Sequence, residues 1–184
     1  MPRLSEAEKR KSHARILDAA ADLFRERGIE TTSVSEVMQA AGMTHGGFYR
    51  HFKGKEALVA AGFERAVDTV VADMEQPETD AAKGAARDTY IDTYLSMGHV
   101  NDRRHGCPMA ALGSELSRAS GEPHARAADA VERVSALLRT EEADDMSDAR
   151  LALLVGAVTL ARLTDDDARA ADILAAARTA IARF

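Results

Sequence analysis

Apolar residues recur along this chain with a helical period. Ile16, Leu17, Ala20, Leu23 and Phe24 fall at i, i+1, i+4, i+7 and i+8 and make one face. Ser5 followed by Glu8 is a capping box that starts this first helix, and Gly28 after Arg27 suits the left-handed position that stops it. The opposite face carries Lys9, Arg10, Lys11, Arg15 and Arg25, the pattern of a solvated helix surface. Ser33 with Glu36 makes a second capping box, and Val34, Val37, Met38 and Ala41 give a short stripe that ends at Gly42. Thr44 is placed to cap a third short helix running to Phe52. Helix, glycine turn and helix over 33–52 is the sequence form of a helix-turn-helix, whose second helix enters the major groove of DNA.

The pattern continues as helices to the end. A fourth helix is predicted over Lys55–Val71, ending before Pro77, and residues 78–86 read as a connection or helix start. Further helices are predicted over Arg87–Gly98, from Pro108 through Ser117 and over Pro123–Arg139. The polar stretch Val100–Gly106 and the acidic stretch Thr140–Ser147 read as loops. Asp148–Leu163 is apolar almost all round, which demands burial on more than one side, and Ala168–Arg183 carries the stripe Ile173, Leu174, Ala177 and Ile181.

Composition supports an all-α fold. Alanine supplies 37 of 184 residues against four prolines and no tryptophan, and alanine favours helices over strands. One cysteine excludes an intramolecular disulfide and a multi-cysteine zinc site. The N-terminus has no apolar signal segment, and the run Leu151–Leu163 is too short to span a bilayer. A soluble cytoplasmic protein with no membrane partner is expected.

Charge changes the picture once it is divided. The chain carries −6 overall, which argues against nucleic acid, but residues 1–60 hold ten Lys/Arg against eight acids and are the basic part. Three of the eight aromatics, Phe48, Tyr49 and Phe52, fall within five residues. Phe48 and Phe52 share a face and are expected to anchor inward. Tyr49, His45, His51, Lys53 and Lys55 then lie where donors can hold phosphates, and the helix opened by Lys55 offers its N-terminal amides as well.

At this point the residues resemble a known family. Ile16-Leu17-Asp18-Ala19-Ala20, Leu23-Phe24 and Gly28, then Thr32-Ser33-Val34, Val37 and Ala41-Gly42, then Phe48-Tyr49-Arg50-His51-Phe52 and Lys55-Glu56-Ala57-Leu58 are similar to the DNA-binding domain of the TetR (tetracycline-repressor-like) regulators. The resemblance covers about the first third of the chain. It implies a helix-turn-helix DNA-binding domain over residues 1–55 and a helical ligand-binding and dimerisation domain over 56–184. It also implies a homodimer that binds a palindromic double-stranded operator and is released by a small-molecule effector. Carried over by position, the recognition helix corresponds to Thr44–His51. Phosphate contacts correspond to Thr32, Ser33, Thr44, Tyr49, His51 and Lys55, and base-reading positions to His45, Gly46, Gly47 and Tyr49. Gly46-Gly47 departs from relatives with longer polar side chains there. Either the backbone comes close to the groove floor, or these positions discriminate weakly. The last two helices correspond to the family's dimer helices.

The effector site has candidates rather than a motif. Tyr90, Tyr94, Met97, Met109, Leu112 and Leu116 are adaptable lining groups on the middle helices and suit an apolar ligand. Cys107 precedes Pro108 at a predicted helix N-terminus, with Arg103, Arg104 and His105 just upstream. That environment favours thiolate, so a thiol-based sensor is the alternative to a plain ligand switch. The spacing of His99, His105 and Cys107 fits no standard metal site, and neither metal nor cofactor is expected. No nucleotide-binding loop, G-x-S-x-G or H-E-x-x-H is present, so an enzyme is not expected.

Overall fold

The computed structural model describes residues 5–75, 79–140 and 146–183, and every regular element among them is helical. Helix α1 (Glu6–Arg27) begins at the Ser5 capping box. Glu8 N–H donates to Ser5 Oγ at 3.2 Å, and Ser5 N–H donates to the Glu8 carboxylate at 2.8 Å. Gly28 closes α1 at φ +92°, a backbone angle that disfavours side chains, and its N–H donates to the Phe24 carbonyl at 2.8 Å. Helix α2 (Val34–Ala40) starts at the Ser33–Glu36 capping box, and Gly42 at φ +68° lets the chain turn sharply behind it.

The third helical segment is tighter than expected. It is a 3₁₀ helix over His45–Arg50, not an α-helix to Phe52. Gly46 and Gly47 each lower α-helical propensity by about 1 kcal/mol relative to alanine, and short runs of this kind readily take the i→i+3 form. Thr44 has the extended N-cap backbone, but its side chain caps nothing.

Helix α3 (Lys55–Glu75) is the spine, packing most extensively on α1 and α7. At the crossing with α1, a Cβ on Gly62 would lie 3.0 Å from the Ala20 Cβ, so any larger residue must push the two helices slightly apart. Helix α4 (Asp80–Tyr94) begins within residues 78–86, the helix start among the two readings of that stretch, with Thr79 accepting the Ala82 N–H at 3.2 Å. The single helix expected over Arg87–Gly98 is broken. Ser96 caps a separate short helix, α5 (Met97–Asn101), through the His99 N–H, so part of the expected loop is helical. Pro77 and residues 141–145, expected to be a stop and a loop, lie outside the described residues.

Helix α6 (Pro108–Leu116) begins at Pro108 with Cys107 as its N-cap. Helix α7 (Gly121–Leu137) begins two residues before Pro123, on Gly121 at φ +66°. Helices α8 (Ser147–Ala161) and α9 (Asp167–Ile181) pack on each other, and two Asp166 bonds to backbone amides start the latter. One apolar core runs from Ile16, Phe24 and Phe48 through Leu58 and Phe63 to Leu116, Leu138 and Leu154. No helix among the described residues is long and apolar enough to cross a membrane.

Candidate DNA-binding surface and effector cavity

Phe48 and Phe52 set the recognition segment. Both are buried, their rings stack at 5.7 Å, and Phe48 meets the Tyr49 ring edge-on at 5.2 Å. These anchors turn the intervening positions outward. Tyr49 is 72% exposed, the extreme case of an aromatic side chain offered to solvent in this part of the molecule. Thr44, His45 and Gly46 are exposed beside it, while Gly47 is half-buried against Met38 and Met43. Lys55 is half-buried at the start of α3, and Ser33 is exposed but engaged by the Glu36 carboxylate at 2.7 Å.

Two of the expected phosphate donors sit differently. Thr32 is fully buried and its hydroxyl donates inward to the Gly28 carbonyl at 2.8 Å, so its side chain closes the turn after α1 instead of facing DNA. His51 is half-buried. Its Nδ1 is buried without a hydrogen-bond partner among the described residues, its ring lies 5.7 Å from that of His13, and His13 stacks on Phe52 at 4.9 Å. Burial, then the nearby His13, Lys9 and Arg50, hold the His51 pKa below the usual histidine value.

The effector candidates separate into two cavities. Tyr90, Tyr94 and Cys107 line the first, of about 420 Å³, together with Arg25, His99 and Gly106. Met109 and Leu116 line the second, of about 440 Å³, with Phe63, Val131 and Leu151. Leu112 is fully buried in the core and Met97 packs against it, and neither lines either cavity. The break at Ser96 places Met97 in a separate helix from Tyr90 and Tyr94, and so off their face.

The first cavity is held by polar bonds that spacing does not reveal. His99 Nδ1 lies 2.7 Å from the Tyr94 carbonyl, and its Nε2 accepts the Cys107 N–H at 2.9 Å. This pairing requires a neutral ring with the proton on Nδ1. Burial, opposed in part by the Tyr94 bond, keeps the His99 pKa low. His105 turns instead to Asp102 at 3.0 Å, so the two histidines serve different partners. Cys107 is buried at the N-cap. The Tyr94 hydroxyl is buried with no hydrogen-bond partner among the described residues. Burial, and then the Cys107 sulfur beside it, push its pKa well above the usual tyrosine value.

Arg25 joins this cavity to the recognition segment's support. From α1 its guanidinium donates to the Gly106 carbonyl at 3.2 Å, to Ala21 at 3.0 Å and to Asp22 at 3.2 Å. Arg104 reaches the same Asp22 at 3.0 Å. Glu115 near the end of α6 accepts backbone N–H bonds from Ile29 and Glu30. Arg25 and Glu115 escape a sequence reading because each acts across a contact between segments distant in the chain, whereas His99 acts within eight residues, across the turn between α5 and α6.

A capped helix, a glycine turn and an outward-facing recognition segment on a helical body define the helix-turn-helix class of DNA-binding regulators. Residues 16–61 match the family model described as bacterial regulatory proteins, tetR family. An HTH-type transcriptional regulator of Mycobacterium tuberculosis, Rv0196, described as uncharacterized, is 31% identical over 167 residues, 83% of this chain and 84% of that protein. TtgR of Pseudomonas putida is 36% identical over 61 residues, 33% of this chain and 29% of its own length. The fold is shared with the reduced form of NemR from E. coli (TM-score 0.72, 21% identity, covering 92% of this chain and 94% of that one). It is shared as well with a TetR-family regulator from Cytophaga hutchinsonii (TM-score 0.70, 20% identity, covering 100% and 98%). The chain belongs to the TetR family of transcriptional regulators.

Proposed function

We propose that this protein is a ligand-responsive repressor that binds a palindromic operator as a homodimer and is released by a small molecule. The observation that carries this reading is the placement of Arg25. It lines the first cavity and also belongs to α1, the helix on which α2 packs, and α2 in turn supports the recognition segment. A ligand that prefers one position of Gly106 and Arg25 therefore prefers one position of α1. Such a preference is the only way binding can shift an equilibrium between DNA-competent and released forms. In a dimer, recognition segments separated by one helical repeat of DNA, about 34–36 Å, fit successive major grooves, and a small shift of α3 spoils that register. The second cavity lies along the same α3 and α6 and has the more apolar lining.

Selection of bound fragments from the source genome tests the reading. Wild-type protein is expected to enrich a palindromic site, and Tyr49→Ala to lose affinity for every sequence by a similar factor. Failure of the wild type to enrich any fragment overturns it.

One observation favours a second reading, release through Cys107. The thiol lines the same cavity as Arg25 and sits beside the buried Tyr94 hydroxyl. N-ethylmaleimide adds a thiolate sulfur across its C=C bond, and the thiol proton ends on the neighbouring carbon. Loss of DNA binding after this treatment, absent in Cys107→Ser, supports thiol sensing. Equal behaviour of the two proteins overturns it.

A further inference from the structure

A groove of about 470 Å³ lies on the side of α1 that faces the end of the recognition segment. Its lining includes Lys9, Arg10 and His13 from α1, then Arg50 and His51. The remaining charged side chains are Glu6 and Arg65, and Arg65 is already paired with Asp18 at 2.8 Å. Lys9, Arg10 and Arg50 are exposed, and no ion pair or hydrogen bond engages any of the three among the described residues. Solvated cations on one helix face are ordinary. Here they come from two segments, converge on one concavity and meet a single carboxylate.

We propose that this groove seats a phosphate of the DNA backbone and extends the footprint beyond the recognition segment. The proposal rests on the DNA-binding reading above. Arg50 is the shared element, because it closes the recognition segment and lines the groove, so a strand held at Tyr49 passes next to Lys9 and Arg10. A phosphate there replaces water around three unpaired cations and releases condensed counterions. Burial, and then the positive neighbours His13, Lys9 and Arg50, hold the His51 pKa below the usual histidine value, and an anion in the groove offsets the effect of those neighbours. The groups that set this balance are Glu6, Lys9, Arg10, His13 and Asp18 on α1, Arg50 next to the ring, and Arg65 on α3.

The test is the salt dependence of binding to a mixed-sequence duplex. In the double variant Lys9→Gln, Arg10→Gln, the slope of log affinity against log salt is expected to fall by about one for each phosphate that a chain no longer neutralises. Lys11→Gln, on the same helix but outside the groove, leaves the slope unchanged. Both substitutions are on exposed side chains, and an unchanged circular dichroism melt verifies the fold. In parallel, inorganic phosphate is titrated while the His13 and His51 imidazole resonances are followed. An unaltered slope in the double variant overturns the proposal. If phosphate alone nevertheless shifts those resonances, the groove is a free-anion site and not part of the DNA footprint. A wild-type protein that binds no duplex overturns the repressor reading as well, and so is distinguishable from failure of the groove alone.

Discussion

The Glu115 carboxylate accepts the Ile29 backbone N–H at 3.0 Å, across 86 residues of chain. It accepts the Glu30 N–H at 3.2 Å as well, so one side chain on α6 grips the turn that leads from α1 into α2. Helix α6 follows its N-cap Cys107, which lines the first cavity, and reaches Glu115 about 12 Å from that cap, at 1.5 Å per residue. The same short helix therefore touches the cavity at one end and the base of the DNA-binding unit at the other.

Glu115→Ala leaves two amides of that turn without their acceptor. Unfolding free energy is expected to fall by about 1–3 kcal/mol, read from urea denaturation at constant slope. Stability equal to wild type shows that water replaces the carboxylate at no cost.

His99 makes stability depend on pH. Its folded pKa lies below the ordinary histidine value, so the unfolded chain binds a proton that the folded one refuses. The contribution is complete above about pH 6.5 and is lost as pH falls from there towards the folded pKa. His99→Gln keeps an acceptor for the Cys107 N–H without titrating, and is expected to flatten the fall seen between about pH 7 and pH 5. His51 is shifted in the same direction, so a residual slope remains in that variant.

Gly62→Val tests the closest contact between α1 and α3. A Cβ already meets Ala20 at 3.0 Å, and two more methyls force the helices apart. A loss of about 1–3 kcal/mol is expected, with DNA affinity falling as well because α1 carries the recognition segment. Retained stability with unaltered affinity shows that the crossing relaxes freely.

Helix α8 buries Leu151, Leu154 and Val158 but leaves Leu160 56% and Leu163, just beyond its end, 77% exposed. Apolar side chains so open at one end of a helix fit the dimer face of the proposed function. Leu160→Glu with Leu163→Glu is expected to sediment as a monomer with undiminished helicity and weakened DNA binding. A double variant that remains dimeric places the interface elsewhere.

The capping boxes at Ser5 and Ser33, the positive-φ glycines 28 and 42, and the inward Phe48–Phe52 pair were legible from the amino-acid sequence. Each is a local rule, satisfied within four residues, and neighbours in the chain suffice to state it. The split between a basic first third and an acidic remainder was legible for the same reason, since charge is additive along the chain. Local rules also reach their limit locally: the Gly46-Gly47 pair lowered helical propensity, yet only the folded backbone chose the 3₁₀ form.

Packing between distant segments decided the rest. Thr32 matched a phosphate-contacting position, but tertiary structure turned its hydroxyl to the Gly28 carbonyl. Helical spacing grouped six effector candidates, Cys107 made a seventh by its place before Pro108, and packing distributed five of the seven between two cavities and left Met97 and Leu112 outside both. Arg25 and Glu115 acquired their roles from partners 81 and 86 residues away. A sequence pattern specifies which face of a helix is apolar, because that depends on period alone. Which other face it meets, and what space is left between them, depends on how all the helices pack at once.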